Sequence, residues 1–174
     1  MKRFFLALPL LLLAAPAPAL ADEVFVGLYA HDVDTPFNLR GFNEGTDFHL
    51  GWRGDRIGAL AAIGAPSPHA FIGVNTAGDA HYAAVGISWK IGRRVYFRPG
   101  IGLAVHTADV DPGPPDVRRA LGSRILFEPE IAIGVQASDR ISIEASLVHL
   151  SNAGILADHN PGIDNLGIRL NYRF

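Results

Sequence analysis

The chain has 174 residues with 15 basic and 17 acidic side chains, a net charge of −2, 49% hydrophobic residues and no cysteine. No basic surplus points to nucleic acid, no disulfide framework is available, and the length suits one domain. After the N-terminal segment, no continuous apolar run reaches the length of a membrane-spanning helix.

The first residues read as a secretory signal. Lys2 and Arg3 form a basic start, Phe4 to Ala15 an apolar core, and Ala19-Leu20-Ala21 before Asp22 fits the small-x-small cleavage rule. Residues 1–21 are therefore expected to be a cleaved signal peptide and 22–174 a single domain of 153 residues. Removing Lys2 and Arg3 leaves 13 basic and 17 acidic residues, a charge of −4.

The rest alternates with period two, the signature of strands with one apolar and one polar face. Val24, Val26 and Leu28 alternate with Phe25, Gly27 and Tyr29, and Phe48, Leu50 and Trp52 with Asp47, His49, Gly51 and Arg53. Residues 57–75 are less regular and are read as one strand kinked near Pro66 and Pro68. Ala83 to Ile91, Val95 to Val105, Ile125 to Val135, Ile141 to Leu147 and Leu166 to Phe174 each keep a clean apolar face at every second residue.

These are eight expected strands. Gly54-Asp55, Gly92-Arg93 and Ser138-Asp139 read as tight turns; residues 30–45, 64–80, 106–123 and 150–163 read as longer loops. Short turns on one side and long loops on the other describe an all-β, eight-stranded antiparallel transmembrane β-barrel of the outer membrane. Trp52, Trp89, Tyr172 and Phe174 are candidates for its aromatic girdles. Alternation alone also fits a soluble, lipocalin-like barrel with its apolar face inside; the signal, the uneven connections and the terminal aromatic favour the membrane form.

Eight strands leave an interior just wide enough for side chains. Arg98, Glu128, Glu130, Glu144, Arg169 and Arg173 fall on the polar faces and are expected to form an enclosed charge network without access for substrate. His31, His49, His69, His81, His106 and His159 show no metal spacing and are read as loop or surface residues. Asp109, Asp111 and Asp116 can be read as a calcium loop, but Pro112, Pro114 and Pro115 make an ordinary solvated loop the simpler reading. No metal or other cofactor is expected.

One stretch does not fit a passive wall. His149 and Ser151 share the parity of Ile141, Ile143, Ala145 and Leu147, which would face lipid. Residues two apart on a strand lie about 6.5 Å apart on one face, so an imidazole can reach the hydroxyl as a base reaches a nucleophile. Asn152 adds an amide donor and Gly154 a permissive backbone, either of which can bind an oxyanion. Polar groups aimed at a bilayer are costly. An even strand number and an exported N-terminus put both chain ends on the periplasmic side, so the pair falls at the outer end of its strand. An enzyme whose substrate is the surrounding lipid would place its nucleophile there.

His149-Leu150-Ser151-Asn152-Ala153-Gly154, Asn160-Pro161-Gly162-Ile163 and the alternating last strand together resemble the outer-membrane lipid A 3-O-deacylases, the PagL type. Gly64-Ala65-Pro66-Ser67-Pro68 and Asn75-Thr76-Ala77-Gly78-Asp79 look like that family as well. The resemblance implies a serine esterase that removes the 3-hydroxyacyl chain at the 3-position of lipid A in the outer leaflet. It implies Ser151 as nucleophile, His149 as base and Asn152 in the oxyanion hole. The family's acid is a glutamate after the P-G-I-like turn; this chain carries Asp164 there, beginning the strand that pairs with that of His149. Glu144 has inward parity, and Asp158 lies in the loop with no evident restraint.

The expected partners are lipid A (lipopolysaccharide) and outer-membrane lipid, with a homodimer left open. The alternatives are a non-catalytic outer-membrane barrel, adhesin or structural, and a soluble ligand-binding barrel.

Overall fold

The structure, a computed structural model, describes residues 23–36, 45–78, 80–111 and 120–174. The expected signal peptide lies outside these residues, as do Asp116 and the three loop prolines. The described strands are β1 (Glu23–Ala30), β2 (Thr46–Arg53), β3 (Ser67–Asn75), β4 (Tyr82–Ser88), β5 (Ile91–Gly92), β6 (Val95–His106), β7 (Ile125–Gln136), β8 (Ile141–Leu150) and β9 (Ile163–Arg173). All pairings are antiparallel, and β1 pairs with both β2 and β9, so the sheet closes on itself. Closure leaves no unpaired edge, a requirement in lipid.

β4 and β5 are two parts of one barrel strand. Ser88↔Gly100 and Ile91↔Phe97 keep one register against β6. The interruption falls where Trp89 faces Pro99, which has no N–H to give the ladder; only the bond from Trp89 N to Pro99 O survives, at 2.9 Å. The result is the closed eight-strand barrel expected from the alternation.

The faces are those of a membrane barrel. Leu28, Phe48, Leu50, Val85, Ile133 and Ile168 are all more than half exposed on the outer wall, while acidic, basic and hydroxyl side chains share the interior with buried aromatic rings. A lipocalin-like barrel would reverse this, so that alternative falls. Tyr172 and Phe174 stack edge to face near Trp52's end of the barrel, as a girdle would. Trp89 is partly withdrawn from that role, because its indole N–H donates to Ile63 O at 2.8 Å.

Inside, aromatic rings lie over inward glycines. A Cβ at Gly73 would meet Tyr82 at 2.4 Å, and one at Gly134 would meet Tyr96 at 2.2 Å. The charge network is present. Arg53 pairs with Glu23 at 2.9 Å and Glu144 at 3.4 Å; Arg98 pairs with Glu144 at 2.7 Å and Glu23 at 3.2 Å; Arg169 pairs with Glu130. Buried charges are tolerated only when paired in this way. Glu128 meets His69 at 3.2 Å instead of an arginine, and Arg173 stands half-buried at the rim.

Two expectations fail. Residues 57–75 are not one kinked strand: Gly58–Ile63 is a 3-10 helix, ended by Gly64 in a left-handed conformation at φ 91°, and the strand begins at Ser67. The helix-forming run Gly-Ala-Leu-Ala-Ala-Ile carries no period-two pattern, and Arg56 clamps its exit through bonds to the Ala65 and Gly64 carbonyls. The turn at Gly54-Asp55 is therefore the start of a longer connection, and the loop read at 64–80 shrinks to 76–81. The histidines also differ: His31, His49, His69 and His106 are buried. His31 bonds Asp47 and His49 bonds Tyr82 within the barrel, and His106 bonds Ser123 O at its end.

Candidate active site

β8 carries its polar exception where its pairing with β7 runs out. Past Leu150, Ser151 continues the β7 register through a bridge to Phe127, donating from N to Phe127 O at 3.1 Å and accepting from Phe127 N at 2.7 Å. Ser151 therefore keeps strand parity, and it shares the outer face with His149 and Leu147. Ser151 is 7% exposed and the His149 side chain 21%.

His149 and Asp164 are direct cross-strand partners between β8 and β9. Opposed side chains on one face of a sheet have Cβ atoms about 5 Å apart, close enough for an aspartate to suffice. The His149 Nδ1 to Asp164 Oδ1 separation is 2.6 Å, and Asp164 is fully buried. The ring N–H at Nδ1 donates to the carboxylate, which leaves Nε2 as the acceptor nitrogen. Gly162, at φ +71°, packs its backbone against the ring; a Cβ there would lie 3.1 Å from Cε1.

The loop after β1 closes over the acid. Thr35 Oγ1 donates to Asp164 Oδ2, and Val33 N donates to Asp164 O at 2.8 Å. Asp32 N donates to Asn165 Oδ1 at 3.1 Å. Both carboxylate oxygens are thus engaged, one by the imidazole and one by Thr35. Nothing in the alternation pattern marked Thr35, since this contact joins residues 129 apart.

Asn152 is fully buried and ties three chain segments together. Its Nδ2 donates to Leu121 O at 2.9 Å and His159 O at 2.7 Å, and its Oδ1 accepts from Gly154 N at 2.8 Å. Its own N–H donates to Asn160 Oδ1 at 2.9 Å. Ala153 and Gly154 follow in left-handed conformations, at φ 57° and 64°. The amide donors that the sequence offers for an oxyanion are engaged within the loops here. Gly122 and His159 cross so closely that a Cβ on Gly122 would sit 1.9 Å from the His159 carbonyl.

Below the polar group, an apolar groove of about 180 Å³ runs on the outer wall, lined among others by Phe97, Ile131, Ile133, Ala145, Leu147 and Leu166. Glu144, rejected as the acid on parity, lies inside with Arg53 and Arg98. Asp158 is exposed in its loop. Among the described residues, no cluster of His, Asp and Glu has the form of a metal site.

A closed barrel with an apolar outer wall, carrying an imidazole–carboxylate pair and a serine on that wall, belongs to the class of transmembrane outer-membrane barrels. Residues 28–173 match the family model described as lipid A 3-O-deacylase (PagL), and the chain belongs to that family. A crystal structure of the outer-membrane enzyme PagL superposes with a TM-score of 0.61 at 20% identity, covering 86% of this chain and 98% of that one. A de novo designed transmembrane β-barrel superposes with a TM-score of 0.54 at 10% identity, covering 88% of this chain and 95% of that one. No curated protein matches the chain in a sequence search. The chain is accordingly a lipid A deacylase, an ester hydrolase of the outer membrane.

Proposed function

We propose that the protein hydrolyses the ester at the 3-position of lipid A through a Ser151–His149–Asp164 triad at the outer-leaflet end of the barrel. The observation that carries this reading is the His149–Asp164 pair, buried on the acid side and placed on the lipid-facing wall beside Ser151.

Ser151 Oγ attacks the acyl carbonyl while His149 Nε2 takes its proton. Asp164 holds the ring tautomer and stabilises the imidazolium that forms. His149 then returns the proton to the sugar oxygen, and the deacylated lipid leaves. Water, activated by the same nitrogen, attacks the acyl-enzyme and releases the 3-hydroxy fatty acid. The groove below Leu147 offers an apolar bed for the acyl chain, continuous with the bilayer.

Asn152 and Gly154 are assigned to the oxyanion side. Their N–H groups are engaged in loop bonds, so donating to the developing oxyanion requires one of those bonds to be exchanged as substrate enters. The membrane solves substrate supply: a nucleophile on the outer wall meets its lipid by lateral diffusion, without a channel through the packed interior.

The test is mass spectrometry of lipid A incubated with the purified protein and with Ser151→Ala. Loss of one 3-hydroxyacyl chain from the 3-position with the wild type, and none with the variant, supports the reading. Equal deacylation by the variant refutes it.

A further inference from the structure

The barrel end opposite the candidate site has a character that deacylation does not use. A pocket of about 290 Å³ opens there, bordered by Arg53, Arg98, Lys90 and Arg173 and by the carboxylates of Glu23 and Asp55. Arg53 and Arg98 are matched by Glu23 and Glu144. Lys90 and Arg173 have no carboxylate partner among the described residues: the Lys90 ammonium bonds only the neutral Gln136 amide and lies over the Tyr96 ring. The Nε atoms of Arg53 and Arg173 are buried and lack an acceptor. A second, shallower depression shares Lys90 and Arg173 and adds Arg93 and Arg94.

Counting the exposed Arg56 and Arg140 at the same end, six cations outside any carboxylate pair stand there against the unpaired side-chain carboxylates of Asp55 and Asp139 among the described residues. That surplus of side-chain cations among the described residues stands in a chain whose net charge is −2. It also has a defined relation to the apolar belt. Arg94 precedes Val95, Arg140 precedes Ile141 and Arg173 precedes Phe174, and each of these three apolar residues is exposed on the outer wall. Cations at the edge of an apolar belt can lie along it while their heads reach phosphates.

We propose that this mouth is a binding site for the phosphodiester headgroup of an anionic phospholipid, drawn from the leaflet opposite the one that supplies the ester substrate. The phosphate sits in the pocket between Lys90 and Arg173 and accepts from the Lys90 ammonium and the Arg173 guanidinium. The acyl chains lie against Val95, Ile141 and Phe174. A free phosphate would satisfy the nitrogens but would leave that apolar border unused, which favours the lipid. The site anchors the barrel's depth, so that Ser151 stays level with the opposite leaflet. The assignment of leaflets rests on the proposed orientation; the binding itself does not.

Native mass spectrometry of the full chain in non-ionic detergent, with equal phosphatidylglycerol and phosphatidylcholine of matched chains, tests this. The wild type should retain phosphatidylglycerol preferentially. Each basic residue near an anionic lipid surface is worth roughly a five-fold change in binding, so Lys90→Gln with Arg173→Gln should reduce the preference by about twenty-five-fold while the heat-modifiable gel shift persists. Should the double variant not fold, Lys90→Gln alone should still cost about five-fold. Ser151→Ala should bind as the wild type does, which separates this site from the catalytic reading. Equal retention of the two lipids, an unchanged preference in folded variants, or displacement by equimolar inorganic phosphate would overturn the proposal.

Discussion

The barrel carries two polar assemblies, and the contrast between them explains the molecule. Inside, Arg53, Arg98 and Arg169 interlock with Glu23, Glu130 and Glu144. Outside, His149, Asp164 and Ser151 stand on a wall otherwise given to aliphatic side chains. Both are largely withheld from water. The inner assembly lies where side chains fill an eight-strand barrel, so its charges answer one another and hold the staves together. The outer one faces the bilayer, where a polar group without a task is only a cost.

This contrast sorts substitutions by what they should change. On one free-energy scale, the largest effect belongs to the outer wall. Ser151→Ala and His149→Ala should each cut turnover by about four to six powers of ten, with the double variant little worse, because nucleophile and base act as a unit. Lipid A hydrolysis rates in detergent would measure this, and the heat-modifiable gel shift should be unchanged.

Next comes the interior. Glu144→Ala removes the carboxylate shared by Arg53 and Arg98. Stranding a buried charge costs about 3–5 kcal/mol, so the variant should unfold at clearly lower denaturant concentration while its remaining folded fraction keeps wild-type turnover. A large loss of turnover in that fraction would break the division between the two assemblies.

Asp164→Ala should be milder than loss of Ser151, lowering turnover by about one to three powers of ten. Asp164→Glu should keep most activity. Wild-type rates for Asp164→Ala with an inactive Asp158→Ala would move the acid into the loop.

The smallest effect expected is that of Thr35→Val. It removes the hydroxyl that holds the second Asp164 oxygen. A lost hydrogen bond to a charged group is worth about 1.5–3 kcal/mol at most, and water can replace it here, so turnover should fall by roughly ten-fold with KM unchanged. A change in KM alone would make Thr35 a substrate contact.

How far the sequence disclosed this depends on which contacts a period-two pattern can report. Strand parity follows from neighbours along the chain, so the staves, the inward Glu144 and the shared face of His149 and Ser151 were all legible. The aspartate was legible too, once β9 was read as returning beside β8; its direct register with His149 explains why the shorter side chain reaches. The 3-10 helix at Gly58–Ile63 was not, because a helical run among alternating strands leaves only a gap in the pattern. The histidines were misplaced for another reason. His49 and His69 have inward parity, but composition alone ranks histidine as a surface residue, and their partners Tyr82 and Glu128 are distant in sequence. The grip of Asn152 on Leu121 and His159 joins two loops, and loop pairing has no periodic signature.

The central claim is that Ser151, on the lipid-facing wall, is the nucleophile. The most direct measurement is intact-protein and peptide mass spectrometry after treatment with an alkyl fluorophosphonate, which phosphonylates an activated serine. One adduct on Ser151, formed much more slowly in His149→Ala and absent in Ser151→Ala, is the expected result. An enzyme that deacylates lipid A yet carries its adduct on another serine, or none at all, would contradict the account.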